Sequence, residues 1–393
     1  MNDFLYYTPT KVYFGKRKEN MVGEIIKSYG YKKILLHYGK GSIKKNGLYD
    51  RIVKSLNDAG IEFIELGGVE ANPKLSLAKK GIEIVRANKL EFVLAVGGGS
   101  VLDSAKLICD SALRGDVDPW SFQIKTEVPD VKKALKLGAI LTIAAAGSEM
   151  SDSCVITNDD TLEKRGCSNE AHRCLFTIEN PELTYSVDKF QTGCGIVDIM
   201  MHTMERYYSV NDETLLTDNI ALGLLKTVVE AGKVAIANPN DYNARADLMW
   251  ASSLSHNGLT GSGKEYYMPV HQIEHEVSGM FDRVAHGAGL SVLFPAWAKF
   301  VYKSDIPRFK RFALEVMNVE NKGTDDEIAY KGIIALEEFY KSIDMPTRLS
   351  ELEIYEDSFK DIAYNFTFKG KRVINDRVKI GYEEALEILK LAK

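Results

Sequence analysis

Between residues 33 and 112, short apolar runs alternate with stretches of helical period, and that alternation restricts the fold more than any other feature of the chain. Lys33–Tyr38 (KILLHY) suits a buried strand, and Ile43–Ala59 then carries Ile, Leu and Val at helical spacing. Ile61–Leu66 reads as the next strand, Leu75–Asn88 as a helix, Phe92–Val96 as a third strand and Ser100–Ala112 as another helix. Parallel strands need crossovers, so this order implies βαβ units on a parallel sheet. Ala139–Ala144, Cys154–Asn158 and Leu175–Ile178 are further strand candidates.

After about residue 186 long amphipathic stretches take over: Gln191–Ser209, Leu215–Asn238, Asp241–Gly258 and Ile328–Asp344. A chain of 393 residues exceeds what one core usually supports. The expectation is an α/β dinucleotide-binding domain with a parallel sheet over residues 1–185, followed by an all-α domain over residues 186–393.

Three glycine turns follow strands of that sheet. Phe92–Val96 runs into Gly97-Gly98-Gly99-Ser100 and restarts as a helix, which places backbone N–H groups at a helix N-terminus where no side chain blocks a phosphate. Gly39-Lys40-Gly41-Ser42 follows the first strand, with Lys44 and Lys45 beyond it, and Ala146-Gly147-Ser148-Glu149 follows a later one. Any one of these fits a ligand-free turn equally well, since none is the GxGxxG fingerprint. Three on one sheet edge point to a nucleotide.

The histidines are unevenly placed. His202 lies four residues after Asp198, so both project from one helix face, and His271 and His275 repeat that spacing in PVHQIEHEVSG. His286 follows in AHGAG. One carboxylate and several imidazoles on facing helices make a site for a borderline divalent ion, although a lone Asp-x-x-x-His pair is more often a hydrogen bond. A rival reading takes His271, Glu274 and His275 as the H-x-x-E-H motif of a zinc peptidase, with Glu274 as general base; it leaves the glycine turns, Asp198 and His202 without a role. His37, His172 and His256 read as structural, with His37 also able to line a nucleotide cleft.

Composition narrows the classes. With 50 basic against 55 acidic side chains, no surface is devoted to nucleic acid. Five cysteines without CxxC spacing fit reduced thiols, and no run approaches the ~18 apolar residues of a membrane span, so a cytoplasmic protein is expected.

Taken together, PTKVYFG, GKGSIKKNGLYD (39–50), ANPK (71–74), VGGGSVLDSAK (96–106), GSEM (147–150), the Asp198/His202 helix, HQIEHEVSG (271–279) and AHGAGLSVLFPAW (285–297) resemble the iron-dependent (group III) alcohol dehydrogenases, most closely their butanol dehydrogenase branch. The likeness spans nearly the whole chain. It implies the dehydroquinate synthase-like / iron-containing alcohol dehydrogenase fold, with the active site in a cleft between the domains, and hydride transfer between NAD(P)(H) and short-chain primary alcohols or aldehydes. Asp198, His202, His271 and His286 match the family's metal ligands for Fe2+ or Zn2+, and His275 a histidine concerned with proton handling. Gly97, Gly98, Gly99 and Ser100 match the pyrophosphate loop, Asp103 a residue near the nicotinamide, Thr142 a cofactor contact and Asn72 the Asn-Pro turn near the nucleotide. Same-fold alternatives are a polyol dehydrogenase or a dehydroquinate synthase-like lyase.

Three departures from the family pattern stand out. Ile143-Ala144-Ala145-Ala146 replaces a threonine-rich stretch. The interval from His271 to His286 is one residue longer than expected, which bears on the loop around Asp282-Arg283. Gly39, Lys40, Gly41 and Ser42 stand where NAD-preferring members carry an Asp; an acid there would repel a 2′-phosphate and Lys40 and Ser42 would welcome one, so NADP(H) is expected over NAD(H). Tyr266, Tyr267, Met268, Phe281 and Trp297 suggest an apolar substrate pocket, though each also fits a core. The PTKVYFG strand, if at a sheet edge, suits pairing across a homodimer.

Overall fold

The computed structural model describes residues 1–115, 117–124, 133–210 and 214–393. The chain divides into two compact units, Tyr7–Val187 and Asp188–Lys393, the latter joined by Met1–Tyr6.

In the first unit, β1 (Lys11–Phe14), α1 (Val22–Ser28) and β2 (Lys33–Gly39) lead into α2 (Ser42–Lys45) and α3 (Leu48–Ala59). The stretch read as one helix from Ile43 is broken at Asn46-Gly47, where Gly47 takes a left-handed φ of 73°. Then come β3 (Glu62–Val69), α4 (Leu75–Asn88), β4 (Phe92–Gly97), α5 (Gly99–Ala112), α6 (Ser121–Ile124) and β5 (Lys136–Leu141). The six-stranded sheet has the order β1-β8-β5-β4-β2-β3, with β8 at Phe176–Glu179, and every pairing in it is parallel. Phe92, Val93, Leu94, Ala95 and Val96 of β4 are all fully buried, as a strand flanked by helices on both faces must be. Burial of each large side chain there contributes roughly 1.5–3 kcal/mol.

Chain order puts β3 on one side of β2 and β4 on the other, so the sheet reverses direction between β2 and β4. A crevice opens at such a reversal, beyond the carboxyl ends of the strands. Gly39–Ser42 and Gly97–Ser100 flank it.

Two strand expectations are corrected. β5 ends at Leu141, three residues before the apolar run does, because the chain turns at Thr142, whose N–H donates to the Gly97 carbonyl (3.1 Å). Cys154–Asn158 does not join the parallel sheet. It forms β6 (Ser153–Thr157), paired antiparallel with β7 (Lys164–Ser168), a strand whose polar sequence KRGCS gave no signal. His37 does not line a nucleotide cleft either. It is fully buried, with Nδ1 2.8 Å from the Leu66 carbonyl and Nε2 2.9 Å from Ser104 Oγ.

Burial holds the His37 ring down at about 4. The unfolded chain therefore binds a proton near pH 6.5 that the folded chain refuses until about pH 4, and folding weakens as pH falls through that window. The penalty reaches ~3 kcal/mol by pH 4. Urea unfolding of His37→Gln at pH 6.5 and pH 4 is expected to lose less stability on acidification than the parent chain; an equal loss would refute this account.

The second unit is built from α7 (Lys189–Tyr207), α8 (Leu215–Ala237), α9 (Tyr242–His256), α10 (Pro269–Met280), α11 (His286–Val301), α12 (Ile306–Glu315), α13 (Asp325–Ser342), α14 (Glu356–Phe366) and α15 (Tyr382–Leu391). Among its described residues the only strands are those of the short ribbon β9 (Ile374–Asn375) and β10 (Lys379–Ile380). Local signals set the helix starts. Asp188 accepts from Gln191 N–H (2.7 Å) and Asp241 from Ala244 N–H (2.9 Å), and Thr324 and Glu327 form a reciprocal capping box. Among the described residues no helix is long and apolar enough to cross a membrane.

Candidate metal centre and nucleotide loops

In the second unit, α7, α10 and α11 bring four side chains together. Asp198 and His202 sit one turn apart on α7, His271 is the third residue of α10 and His286 the first of α11. Asp198 Oδ1 lies 3.2 Å from His202 Nδ1, 3.8 Å from His271 Nε2 and 3.9 Å from His286 Nε2. The His202 and His271 ring centres are 4.5 Å apart, and those of His271 and His286 5.4 Å.

The Nδ1 atoms of these rings are tied down. His271 Nδ1 meets Glu205 Oε2, and His286 Nδ1 meets Glu274 Oε2, both in very short contacts. His202 Nδ1 is 3.0 Å from the Asp198 backbone carbonyl. Each contact, with the proton on Nδ1, leaves the Nε2 lone pair available, the arrangement that orients imidazoles on a metal. Glu205 does more. It lies on α7 three residues beyond His202, and its carboxylate accepts from Val270 N–H (2.7 Å) and His271 N–H (3.2 Å), capping the start of α10.

Close packing sets the last ligand in place. A Cβ on Gly287 would lie 2.2 Å from the Cys194 carbonyl of α7, and one on Gly289 2.8 Å from Glu274 Cγ. The AHGAG glycines thus let α11 approach α7 and leave Glu274 room beneath His286. Between α10 and α11, Arg283 donates to the Leu352 and Glu353 carbonyls.

Asp198 Oδ1 and His271 Nε2 are buried and have no hydrogen-bond partner. Their separation of 3.8 Å is too long for a hydrogen bond. It suits two ligands of one ion, each at about 2.0–2.2 Å. Burial raises the Asp198 carboxyl, but the imidazoles of His202, His271 and His286 outweigh it and hold the group well below the usual carboxylate range. Burial pushes His202 down to about 4, so this ring is neutral and ready to ligate. Asp198, His202 and His271 present ligand atoms within 4.8 Å of one another, as a single divalent cation requires, and His286, grouped with Glu274 and His275, adjoins them with Nε2 3.9 Å from Asp198 Oδ1.

His275, one turn past His271, has its ring centre 5.7 Å from that of His286. Glu274 does not fit the base of a zinc peptidase, because its carboxylate is fully buried and engaged by His286 Nδ1. Trp297 does not line a pocket; it is 2% exposed and packs on Tyr208 and Phe294.

In the first unit the glycine loop is shaped by close approach. A Cβ on Gly97 would lie 2.4 Å from Val101 Cγ2, and one on Gly98 2.4 Å from Ile143 Cγ2. Gly98 caps α5, and the helix begins at Gly99 and Ser100 with the first N–H groups directed past its end. Asp103 is turned to other work: Oδ1 accepts from Ser148 Oγ (2.8 Å) and Oδ2 from Val155 N–H (3.2 Å). Lys106, fully buried, donates to the carbonyls of Ser148 (2.7 Å), Ser151 (3.2 Å) and Ser153 (2.6 Å). These two side chains fasten residues 148–155 to α5. Asn72, buried with φ 55°, accepts from Lys164 Nζ (3.0 Å). Lys44 is held by Glu65, which also receives the Tyr38 and Tyr49 hydroxyls.

Comparison with known proteins shows the family. Residues 9–181 match the iron-containing alcohol dehydrogenase family and residues 192–392 its C-terminal domain. The chain is 39% identical to NADH-dependent butanol dehydrogenase A of Clostridium acetobutylicum over 99% of both proteins. It is 34% identical to an NADPH-dependent aldehyde reductase of Escherichia coli over 89% of both. The crystal structure of NADH-dependent butanol dehydrogenase A from Thermotoga maritima superposes with a TM-score of 0.95 at 37% identity, covering 100% of this chain and 99% of that one. The chain belongs to the iron-containing alcohol dehydrogenase family.

Proposed function

We propose that this protein is a metal-dependent alcohol dehydrogenase and aldehyde reductase acting on short-chain primary alcohols and their aldehydes. The reading rests above all on Asp198, His202 and His271, whose ligand atoms lie within 4.8 Å of one another, with His286 beside them, while the Nδ1 atoms of the rings are held by Glu205, Glu274 and a backbone carbonyl. Residues 1–185 are assigned to the dinucleotide and residues 186–393 to metal and substrate.

Asp198 and the three imidazoles would hold Fe2+ or Zn2+, leaving a net charge of about +1, and the bound ion supplies Lewis acidity toward an alcohol or carbonyl oxygen. The nicotinamide cofactor supplies the hydride acceptor or donor. Glu205 and Glu274 fix the tautomers of His271 and His286. His275 carries the proton exchanged with the substrate oxygen. Gly97, Gly98, Gly99 and Ser100 receive the pyrophosphate at the α5 N-terminus, with Thr142 and Asn72 at its margins and Asp103 bracing the loop from below. Gly39, Lys40, Gly41 and Ser42 face the adenosine ribose, and because no acid directly follows β2, NADP(H) is preferred over NAD(H). Five buried free cysteines fit a reducing cytoplasm. The edge strand β1, next to the exposed Phe4, Leu5 and Tyr7, fits a homodimer.

The test follows absorbance at 340 nm with butanal and NADPH before and after chelation, with metal content measured in parallel. Oxidation of NADPH that stops with chelation and returns with Fe2+ or Zn2+ is expected. A full rate after complete metal removal would overturn the reading, as would peptide cleavage without cofactor.

A further inference from the structure

At the carboxyl edge of the sheet, Lys40 Nζ lies 2.6 Å from Glu70 Oε1, and both side chains are exposed. Lys40 is the first residue after β2 and Glu70 the first after β3, and the last residues of these strands, Gly39 and Val69, are partners in the parallel ladder. The pair therefore spans two neighbouring strand ends on the edge that carries Gly97–Ser100. Lys44 does not compete for this place, because Glu65 and the rings of Tyr38 and Tyr49 hold it.

Dinucleotide folds read the adenosine ribose with an acid at the end of a strand beside the first glycine turn, where the carboxylate accepts from the 2′-hydroxyl. Glu70 occupies such a place, directly before the ANPK segment (71–74). A 2′-phosphate carries nearly two negative charges and is repelled by a carboxylate and drawn to an ammonium. An exposed ion pair is weak, so Lys40 is free to exchange Glu70 for phosphate.

We propose that Glu70, acting with Lys40, is the specificity-determining residue for the adenosine ribose: Lys40 draws a 2′-phosphate, while Glu70 opposes it and accepts from an unmodified 2′-hydroxyl. The pair thus moderates the NADP(H) preference. The inference rests on the dinucleotide reading given above.

The experiment measures kcat/KM for NADPH and NADH in the metal-loaded parent, Glu70→Gln and Lys40→Gln proteins. The NADPH:NADH ratio is expected to rise about tenfold in Glu70→Gln and to fall about tenfold in Lys40→Gln, with both shifts shrinking as salt is added. Calorimetric binding of 2′,5′-ADP against 5′-ADP repeats the comparison without turnover. A Glu70→Gln ratio within twofold of the parent in both assays overturns the inference. A parent ratio below one overturns only the NADP(H) preference, since the direction of the Glu70→Gln shift is still read.

Discussion

Replacing His271 or His286 by alanine is expected to remove metal and turnover together, with kcat/KM falling at least ~1,000-fold, the scale of a few kcal/mol of lost charge stabilisation. Each change deletes a nitrogen within 4 Å of Asp198 Oδ1. His271→Ala also leaves the buried Glu205 carboxylate without its imidazole partner, so thermal unfolding should accompany the assay. His275→Ala separates binding from chemistry. It should keep about one metal per chain and lose ~100-fold or more in kcat, the usual weight of a general acid–base group. Elemental analysis and single-turnover kinetics on the three proteins decide the matter. Full metal occupancy with parental turnover in His271→Ala would mean that the four side chains converge for structural reasons alone.

What the sequence displays and what it conceals follow from the physics of each signal. Apolar runs of five or six residues mark β2 and β4 because a parallel sheet buries both faces. The i, i+4 spacing puts Asp198 and His202 on one helix face before any fold is known. Glu205 escapes such reading, because an acid in a helix is ordinarily a solvated one, and Glu274 stands out only as the base of a peptidase motif; the packing of α7, α10 and α11 buries both against the histidines. The spacing of Glu205, seven residues after Asp198 and three after His202, was the available clue. Glu70 escapes for a related reason: only the pairing of Val69, the residue before it, with Gly39, thirty residues earlier in the chain, brings it beside Lys40. Asp103 has a role that its motif does not display: its oxygens accept from Ser148 Oγ and Val155 N–H. Trp297 fits pocket or core in sequence, because an aromatic residue near a site is indistinguishable there from one in the core beside it, and the fold makes it core.

Glu205 invites a sharper test than the ligands themselves, because one carboxylate serves two ends. It caps α10 through Val270 and His271 N–H, and it sets the His271 tautomer through Nδ1. Glu205→Ala removes both services. Two backbone donors lose their acceptor in a buried place, at ~1–3 kcal/mol each, and metal affinity falls ~10–100-fold as for other groups that orient ligating histidines. Glu205→Gln divides the functions. Its amide oxygen still accepts from Val270 N–H while the His271 N–H loses its acceptor, so half of the cap survives and the melting temperature should fall less than in Glu205→Ala. Its amide NH2 has no lone pair to offer His271 Nδ1–H; the imidazole must turn its proton to Nε2, and that nitrogen then cannot ligate. Metal affinity in Glu205→Gln should therefore fall nearly as far as in Glu205→Ala while stability falls less. A Glu205→Gln protein that binds metal like the parent would show that the cap alone positions His271.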